Sequence, residues 1–468
     1  MKSFFAVLVL VWFIPLVVDA NQTWERVFDQ EGDDNQILAL NVLDESTAWF
    51  IAADSSSGNT QLKGYKTTNG SSFSQMFLPT SAGMVMFLDL SFVDSNTGYL
   101  TGMDIDMPFK DLFDLETYVV WKTTNGGASW EILDDTLEEL ITKVQAFSTG
   151  ELFGISENNF YIFNGTTFST GELPEFTGNI NTLQMITNQI GFIGGGISWD
   201  EENPSQQPGS GFVMITEDGG QSFRTVSSNL NFNVTSVYFL NSDYGWIGGY
   251  DANQAYIYAT EDGGQTWISQ SLPQHPGFDV EIELPFKFTQ TVEPATITGI
   301  AGIRFFDCER GVALGVCCIS DCVPSTEETD PSYVTMFLRT YDAGETWEMD
   351  QHYEEVMNNW GTMMAGAKIM SMLNVMGFPT PNKGFIGGEQ MMLLSYSALE
   401  PEEVSPDGVI ECDGSGTENN NNNNNTDDPF SEPSDSGCGC STPGQTGFVP
   451  VFSIFLFGML ILLRRKIL

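Results

Sequence analysis

Thr260-Glu261-Asp262-Gly263-Gly264-Gln265-Thr266-Trp267 is the stretch whose reading decides the fold. The same spacing returns in Thr123-Thr124-Asn125-Gly126-Gly127-Ala128-Ser129-Trp130, in Thr216-Glu217-Asp218-Gly219-Gly220-Gln221-Ser222-Phe223 and in Thr340-Tyr341-Asp342-Ala343-Gly344-Glu345-Thr346-Trp347. Two copies are one residue shorter, Thr67 to Phe73 around Asn69 and Ile162 to Phe168 around Asn164. An Asp or Asn side chain in such a turn accepts backbone N–H bonds, and Gly supplies the positive φ that a hairpin turn needs. The hydroxyl residue ties the turn together, and the aromatic packs between neighbouring sheets. Asn69, Asn125, Asn164, Asp218, Asp262 and Asp342, with Trp130, Phe223, Trp267 and Trp347, therefore read as structural staples rather than as catalytic groups.

Upstream of each turn a second element recurs, an apolar strand followed by a glycine-framed one. Phe92-Val93-Asp94 leads to Gly98–Gly102, Phe239-Leu240-Asn241 to Gly245–Gly249, and Phe306-Asp307 to Gly311–Gly315. Small residues there let inner strands approach one another closely. Each unit reads as four strands, the last beginning at the turn's aromatic, and four-stranded repeats of this length are propeller blades. Inner strands start near Ile37, Val85, Ile141, Ile180, Val234, Ile297 and Ile369, which makes seven blades. The seventh has no such turn and no fourth strand of its own, whereas Trp24–Phe28 looks like a fourth strand without a blade. The expected fold is all-β, a seven-bladed β-propeller of four-stranded antiparallel blades, its last blade closed by the N-terminal strand. Closure would remove the exposed edges of an open sheet.

The repeated turn matches the Asp-box, or BNR, signature. Among Asp-box propellers, the glycine-framed second strands resemble the photosystem II stability and assembly factor-like family over most of Trp24 to Ser397. That resemblance implies a propeller that binds subunits of a membrane-protein assembly through a basic patch. This chain departs from it in charge: 62 acids oppose 17 Lys and Arg, for a net charge of −45. Such an imbalance argues against nucleic-acid binding, which needs a basic surface. Asp-box propellers also include sialidases, which need an arginine triad and a Phe-Arg-Ile-Pro motif. Here Arg304 sits in Ile303-Arg304-Phe305-Phe306 without the proline, and the only other arginines between the ends are Arg26, Arg224, Arg310 and Arg339.

The two ends point to export. Residues 1–20 carry Lys2, an apolar run and a small Ala20, the pattern of a signal peptide. Residues 21–397 are the propeller. Residues 398–446 form an Asn-, Ser-, Pro- and acid-rich stretch, including the asparagine run 419–425, that buries too little apolar surface to fold. Residues 447–468 are an apolar run with a basic end, Arg464-Arg465-Lys466, near the lower length for a membrane span. With Cys438-Gly439-Cys440 just before it, this tail resembles a myxobacterial-type sorting signal. The expected location is the cell surface or an extracytoplasmic membrane. Of the seven cysteines, Cys308, Cys317, Cys318 and Cys322 are crowded and predict two local disulfides, leaving Cys412 odd.

The large insertions fall between second and third strands (103–117, 198–210, 317–331) or between blades (271–294, 350–367). Both classes emerge on one face of a propeller, where variable loops on a rigid scaffold usually bind. That face is expected to carry His275, His352 and the acids Asp104, Asp106, Asp111, Asp114, Glu201, Glu202, Glu354 and Glu355. Met357, Trp360, Met363, Met364, Met370 and Met372 are expected in a short helix over the ring. Calcium could take oxygen ligands from such loops, but none has EF-hand order, so no cofactor, metal or catalytic residue is assigned. The sequence thus predicts an exported, monomeric, membrane-attached binding or scaffold module for an extracellular or periplasmic protein or glycan. A glycoside hydrolase using acids on the loop-rich face is the alternative.

Overall fold

The computed structural model describes residues 24–28, 35–55, 60–80, 84–105, 116–198, 206–284, 286–292, 294–320, 332–350, 373–389 and 391–398. They form seven four-stranded antiparallel sheets and one two-stranded hairpin. Six sheets are meanders in chain order. The seventh joins Trp24–Phe28 to the last three strands, with Trp24 opposite Tyr396 and Arg26 opposite Leu394. The fold is the expected seven-bladed propeller, and the N-terminal strand is the closing strand. The inner strands are Gln36–Val42, Met84–Phe92, Lys143–Ala146, Asn179–Met185, Asn233–Phe239, Ile297–Phe305 and Leu373–Thr380. Each touches the next, and Leu373–Thr380 touches Gln36–Val42, so the ring is complete.

The described part of the seventh inner strand is Leu373–Thr380, and its expected start near Ile369 lies outside the described residues. One detail differs from the sequence reading. The insertion after blade 5 folds into a hairpin of its own, Phe278–Leu284 with Phe286–Val292. Alternating Phe/Val/Ile/Leu with Asp/Glu/Lys/Thr in 278–292 carried that period-2 signal.

The glycine frame has a more local cause than close approach of inner strands. A Cβ on Gly245 would meet the ring of Phe239 at 2.2 Å, so the opening glycine makes room for the aromatic that ends the same blade's inner strand. A Cβ on Gly249 would lie 2.0 Å from the carbonyl oxygen of Asn233. That oxygen is thrust forward by a bulge between Val234 and Ser236, and matching bulges interrupt the inner strands of blades 1, 2, 4, 6 and 7.

Aromatic stacks that cross the seams weld most blades to their neighbours. Trp246 of blade 5 lies flat on Phe305 of blade 6, with centroids 3.4 Å apart, and Trp347 meets Phe305 edge-on at 5.8 Å. Phe192, Phe239 and Trp267 repeat the stack at the seam of blades 4 and 5, and Trp49, Phe92 and Trp130 at the seam of blades 1 and 2. The closing strand joins through Trp24, 1% exposed, whose ring meets Phe337 of blade 6 at 4.8 Å and Tyr396 at 5.2 Å. Trp24→Ala should therefore cost about 3–5 kcal/mol, the usual loss for a buried large aromatic. Urea denaturation checks this; an unchanged midpoint would show that the ring does not depend on that strand.

Candidate functional site

The repeated turns close on themselves. In blade 5 the hydroxyl of Thr260, a buried residue, donates to Asp262 Oδ1 at 2.9 Å and accepts from the Gly264 N–H at 2.9 Å. Asp262 also accepts the N–H and hydroxyl of Thr266, at 2.8 and 2.7 Å. Blades 4 and 6 repeat this set through Thr216, Asp218 and Ser222, and through Thr340, Asp342 and Thr346. In blade 2, Asn125 accepts from the Ser129 N–H at 2.9 Å and donates through Nδ2 to its hydroxyl at 2.8 Å. The shorter turns keep the same acceptor: Asn69 takes the Ser72 N–H and Asn164 takes the Thr167 N–H.

These bonds shift the acids. The Ser222 hydroxyl and N–H hold Asp218 below its ordinary value of 3.8. Burial pushes Asp262 and Asp342 up, but the bonds from Thr266 and Thr346 outweigh it, so both also lie below 3.8. Both carboxylate oxygens of each of these acids are engaged in holding a turn.

The turns dock on a second set that sequence reading missed. Gly263 N–H donates to Asp243 O at 2.8 Å, Gly126 to Asn96 O at 2.7 Å and Ala343 to Glu309 O at 2.8 Å. The acceptors lie in the turns joining first and second strands, so both turn classes share one face. Asp44, Asp94, Asn241 and Asp307 cap these turns, each accepting two backbone N–H groups. The visible signal was an Asp or Asn four residues before the first glycine of the frame in blades 2, 5 and 6, Asp94 before Gly98, Asn241 before Gly245 and Asp307 before Gly311.

The inner ring is almost uncharged. Its seven strands carry only Asp89, Lys143 and Arg304 as charged residues. Asp89 is a seam clamp: it accepts the Val144 N–H of blade 3 at 2.8 Å, and its burial pushes its pKa up against the pull of Lys143. One register position performs the clamping elsewhere. Asn41, Ser91, Gln145 and Gln184 each accept the N–H of the next blade's inner strand, at Phe92, Ala146, Met185 and Phe239. In the last three blades that position holds Tyr238, Arg304 and Gly377. The Arg304 guanidinium lies 5.1 Å over the Tyr238 ring, and its Nε is buried without a hydrogen-bond partner.

Among the described residues no arginine triad forms. Arg310 pairs with Asp307 in a turn, Arg339 pairs with Asp350 and stacks 4.3 Å over Tyr396, Arg224 faces Glu217 on a fourth strand, and Arg26 is on the closing strand. Among the described residues no group of three His, Cys, Asp or Glu could hold a metal ion.

Expectations for the loop face are tested only in part. His275 is buried, 1% exposed, with Nδ1 accepting the Gly277 N–H at 3.1 Å, so it packs beneath its loop rather than facing out. Asp104 lies at the end of its second strand. His352, the other expected acids Asp106, Asp111, Asp114, Glu201, Glu202, Glu354 and Glu355, and the Met357–Met372 cluster lie outside the described residues, as do Cys322, Cys412, Cys438, Cys440 and both apolar ends. No helix of the described residues is long and apolar enough to cross a membrane. Of the four crowded cysteines, Cys308 and Cys318 are disulfide-bonded and Cys317 is buried, while Cys322 lies outside the described residues, as then does the expected pairing. Cys317 points into the blade core against Met336, its sulfur 3.3 Å from the thioether.

No protein-family model and no curated protein matches the chain. Solved structures do. A structure of YCF48 bound to a D1 peptide aligns at 15% identity and TM-score 0.50, covering 80% of this chain and 97% of that one. YCF48 from Cyanidioschyzon merolae aligns at 12% identity and TM-score 0.48, over 80% and 98%. The GH74 xyloglucanase from Xanthomonas campestris aligns at 11% identity and TM-score 0.50, covering 80% of this chain and 54% of the enzyme. At such identities the likeness is one of fold.

The turn acids carry a pH signature. Folded-state values held below 3.8 for Asp218, Asp262 and Asp342 mean that the unfolded chain takes up protons first. Their contribution to stability is fully present above the ordinary value and is lost as pH falls through the depressed ones. Replacing all three by Asn, as blade 2 has naturally at Asn125, should keep the fold and flatten the acid limb of stability. Thermal unfolding across pH 2–6 checks it; an unchanged acid limb would mean these acids are not held charged by their turns.

Proposed function

We propose that the chain is an exported, surface-anchored propeller that binds a protein or glycan partner through its loop-rich face, without turnover. The observation that carries this reading is the near-neutral inner ring. Glycoside hydrolysis needs two carboxyl groups flanking one bond, and the seven inner strands bear a single one, Asp89, which is buried and clamps a seam. The opposite face consists of hydrogen-bonded turns, which leaves the insertions as the variable surface. A propeller of the same fold, YCF48, is known bound to a peptide, and peptide capture is the activity that the present chain's geometry accommodates without further chemistry. The N-terminal leader, the stalk and the apolar tail with its basic end support display outside the cytoplasm.

A glycan and peptide array probed with the purified ectodomain, run beside hydrolysis assays on the retained glycans, tests the reading. Retention without product is the expected result. Release of sugar, abolished by changing an acid in the 198–210 or 350–367 insertion, would replace the binding module with the hydrolase. Mass spectrometry of the exported protein should find its N-terminus after Ala20; an intact Met1 would refute the leader.

A further inference from the structure

Three Asn-Gly steps occur in the chain, and all three sit in the repeated turns: Asn69-Gly70, Asn125-Gly126 and Asn164-Gly165. An Asn followed by Gly is prone to lose its side-chain amide, because the next backbone nitrogen can attack Cγ and glycine adds no side chain to hinder it. The three asparagines are held alike. Each is exposed and accepts one or two backbone N–H groups through Oδ1. Their glycines are not held alike.

Gly70 is buried, and its N–H donates to Ser46 O at 2.8 Å and to the Thr67 hydroxyl at 3.0 Å. Gly126 is buried too, its N–H donating to Asn96 O at 2.7 Å. A Cβ on these two would lie 3.2 Å from Glu45 O and 2.7 Å from Ser95 O, so both are pressed onto the turn between first and second strands. Gly165 is exposed, and a Cβ there would meet nothing within 4 Å. Among the described residues its N–H has no acceptor. The sequence supplies the cause. The other five turns begin with Thr67, Thr123, Thr216, Thr260 and Thr340, whose hydroxyls accept a glycine N–H. This one begins with Ile162, which has no oxygen to offer.

We propose that Asn164 is a site of spontaneous deamidation, and that docking protects Asn69 and Asn125 from the same reaction. The Gly165 nitrogen gives its proton to water and attacks Asn164 Cγ. A C–N bond forms, the Cγ–Nδ2 bond breaks and ammonia carries off the amide nitrogen, leaving a succinimide. Water then opens either imide carbonyl, giving Asp or an isoaspartyl link at 164. In blades 1 and 2 the same attack must first pull the nitrogen away from Ser46 O or Asn96 O. The Asp product keeps the turn, its second oxygen taking the Thr167 hydroxyl as Asp218 takes that of Ser222 at 2.6 Å. The isoaspartyl product adds a methylene to the backbone and loses the bonds from the Thr166 and Thr167 N–H groups. Blade 3 thereby carries a turn whose charge and shape change with the age of the protein.

Peptide mapping of the full-length chain during incubation at mildly alkaline pH reads the conversion at each site, with an isoaspartyl methyltransferase to label the rearranged link. Asn164 should convert at least tenfold faster than Asn69 and Asn125, roughly the factor that one amide hydrogen bond of about 1.4 kcal/mol confers on a rate. In urea, where no turn is docked, the three rates should come together. Ile162→Thr should restore the acceptor and slow Asn164 toward the rate of Asn69, with circular dichroism unchanged. Equal rates in the folded chain, or a gap that persists in urea, overturn the proposal. So does an Asn164 rate that Ile162→Thr leaves unmoved in a folded variant.

Discussion

Closure of the ring is the constraint on which the rest depends. A single blade of this protein presents large rings on both its faces: Trp246 needs Phe305 of the next blade, and Phe305 needs Trp347 behind it. None of those rings is covered until a neighbour arrives, and a chain of blades leaves two uncovered ends. The strand Trp24–Phe28 removes both, pairing with Leu393–Ser397 by backbone bonds and setting Trp24 among Phe337, Phe378 and Tyr396. Phe28 extends the join into blade 1, against Phe50 and Tyr65. The two ends of the propeller are thereby one packing unit.

Once the ring is closed, its two faces diverge for a chemical reason. Strand ends on one face are finished by short turns whose acids and hydroxyls bond to each other and to the neighbouring turn, so that face has a fixed length. No such rule governs the other face, where second strands hand over to third and one blade to the next. Insertions accumulate there because they leave every turn bond and every seam ring in place. The hairpin 278–292 shows that such an insertion can itself be ordered.

The interior of the ring bears on function. In a protein with a net charge of −45, the strands nearest the axis hold only one acid. Amide and hydroxyl clamps hold the seams between inner strands through blade 4. From blade 5 onward they give way to Tyr238, Arg304 and Gly377, and seams there are held by Ser236 to the Ile303 N–H, Thr235 to Ile300 O and Thr335 to Leu373. Fold likeness to both YCF48 and a xyloglucanase leaves the choice between binding and hydrolysis to such site features.

Local chemistry fixed much of this protein from its sequence. A Thr, an Asp or Asn, a Gly and an aromatic at set spacing specify a turn whose bonds lie within eight residues, so six turns, the blade length and the blade number were legible. The fourth strand lacking from blade 7 and the spare one at Trp24 made closure legible too. Tertiary structure decided what depends on distant atoms. Gly245 is required by the ring of Phe239, and His275 is buried although it lies in an insertion expected at the surface. Cys317 and Cys318 are adjacent in sequence, yet strand alternation turns Cys317 into the core against Met336 and leaves Cys318 only partly buried. Cys308 and Cys318 are ten residues apart along the chain, and the strand between them carries them to opposite faces.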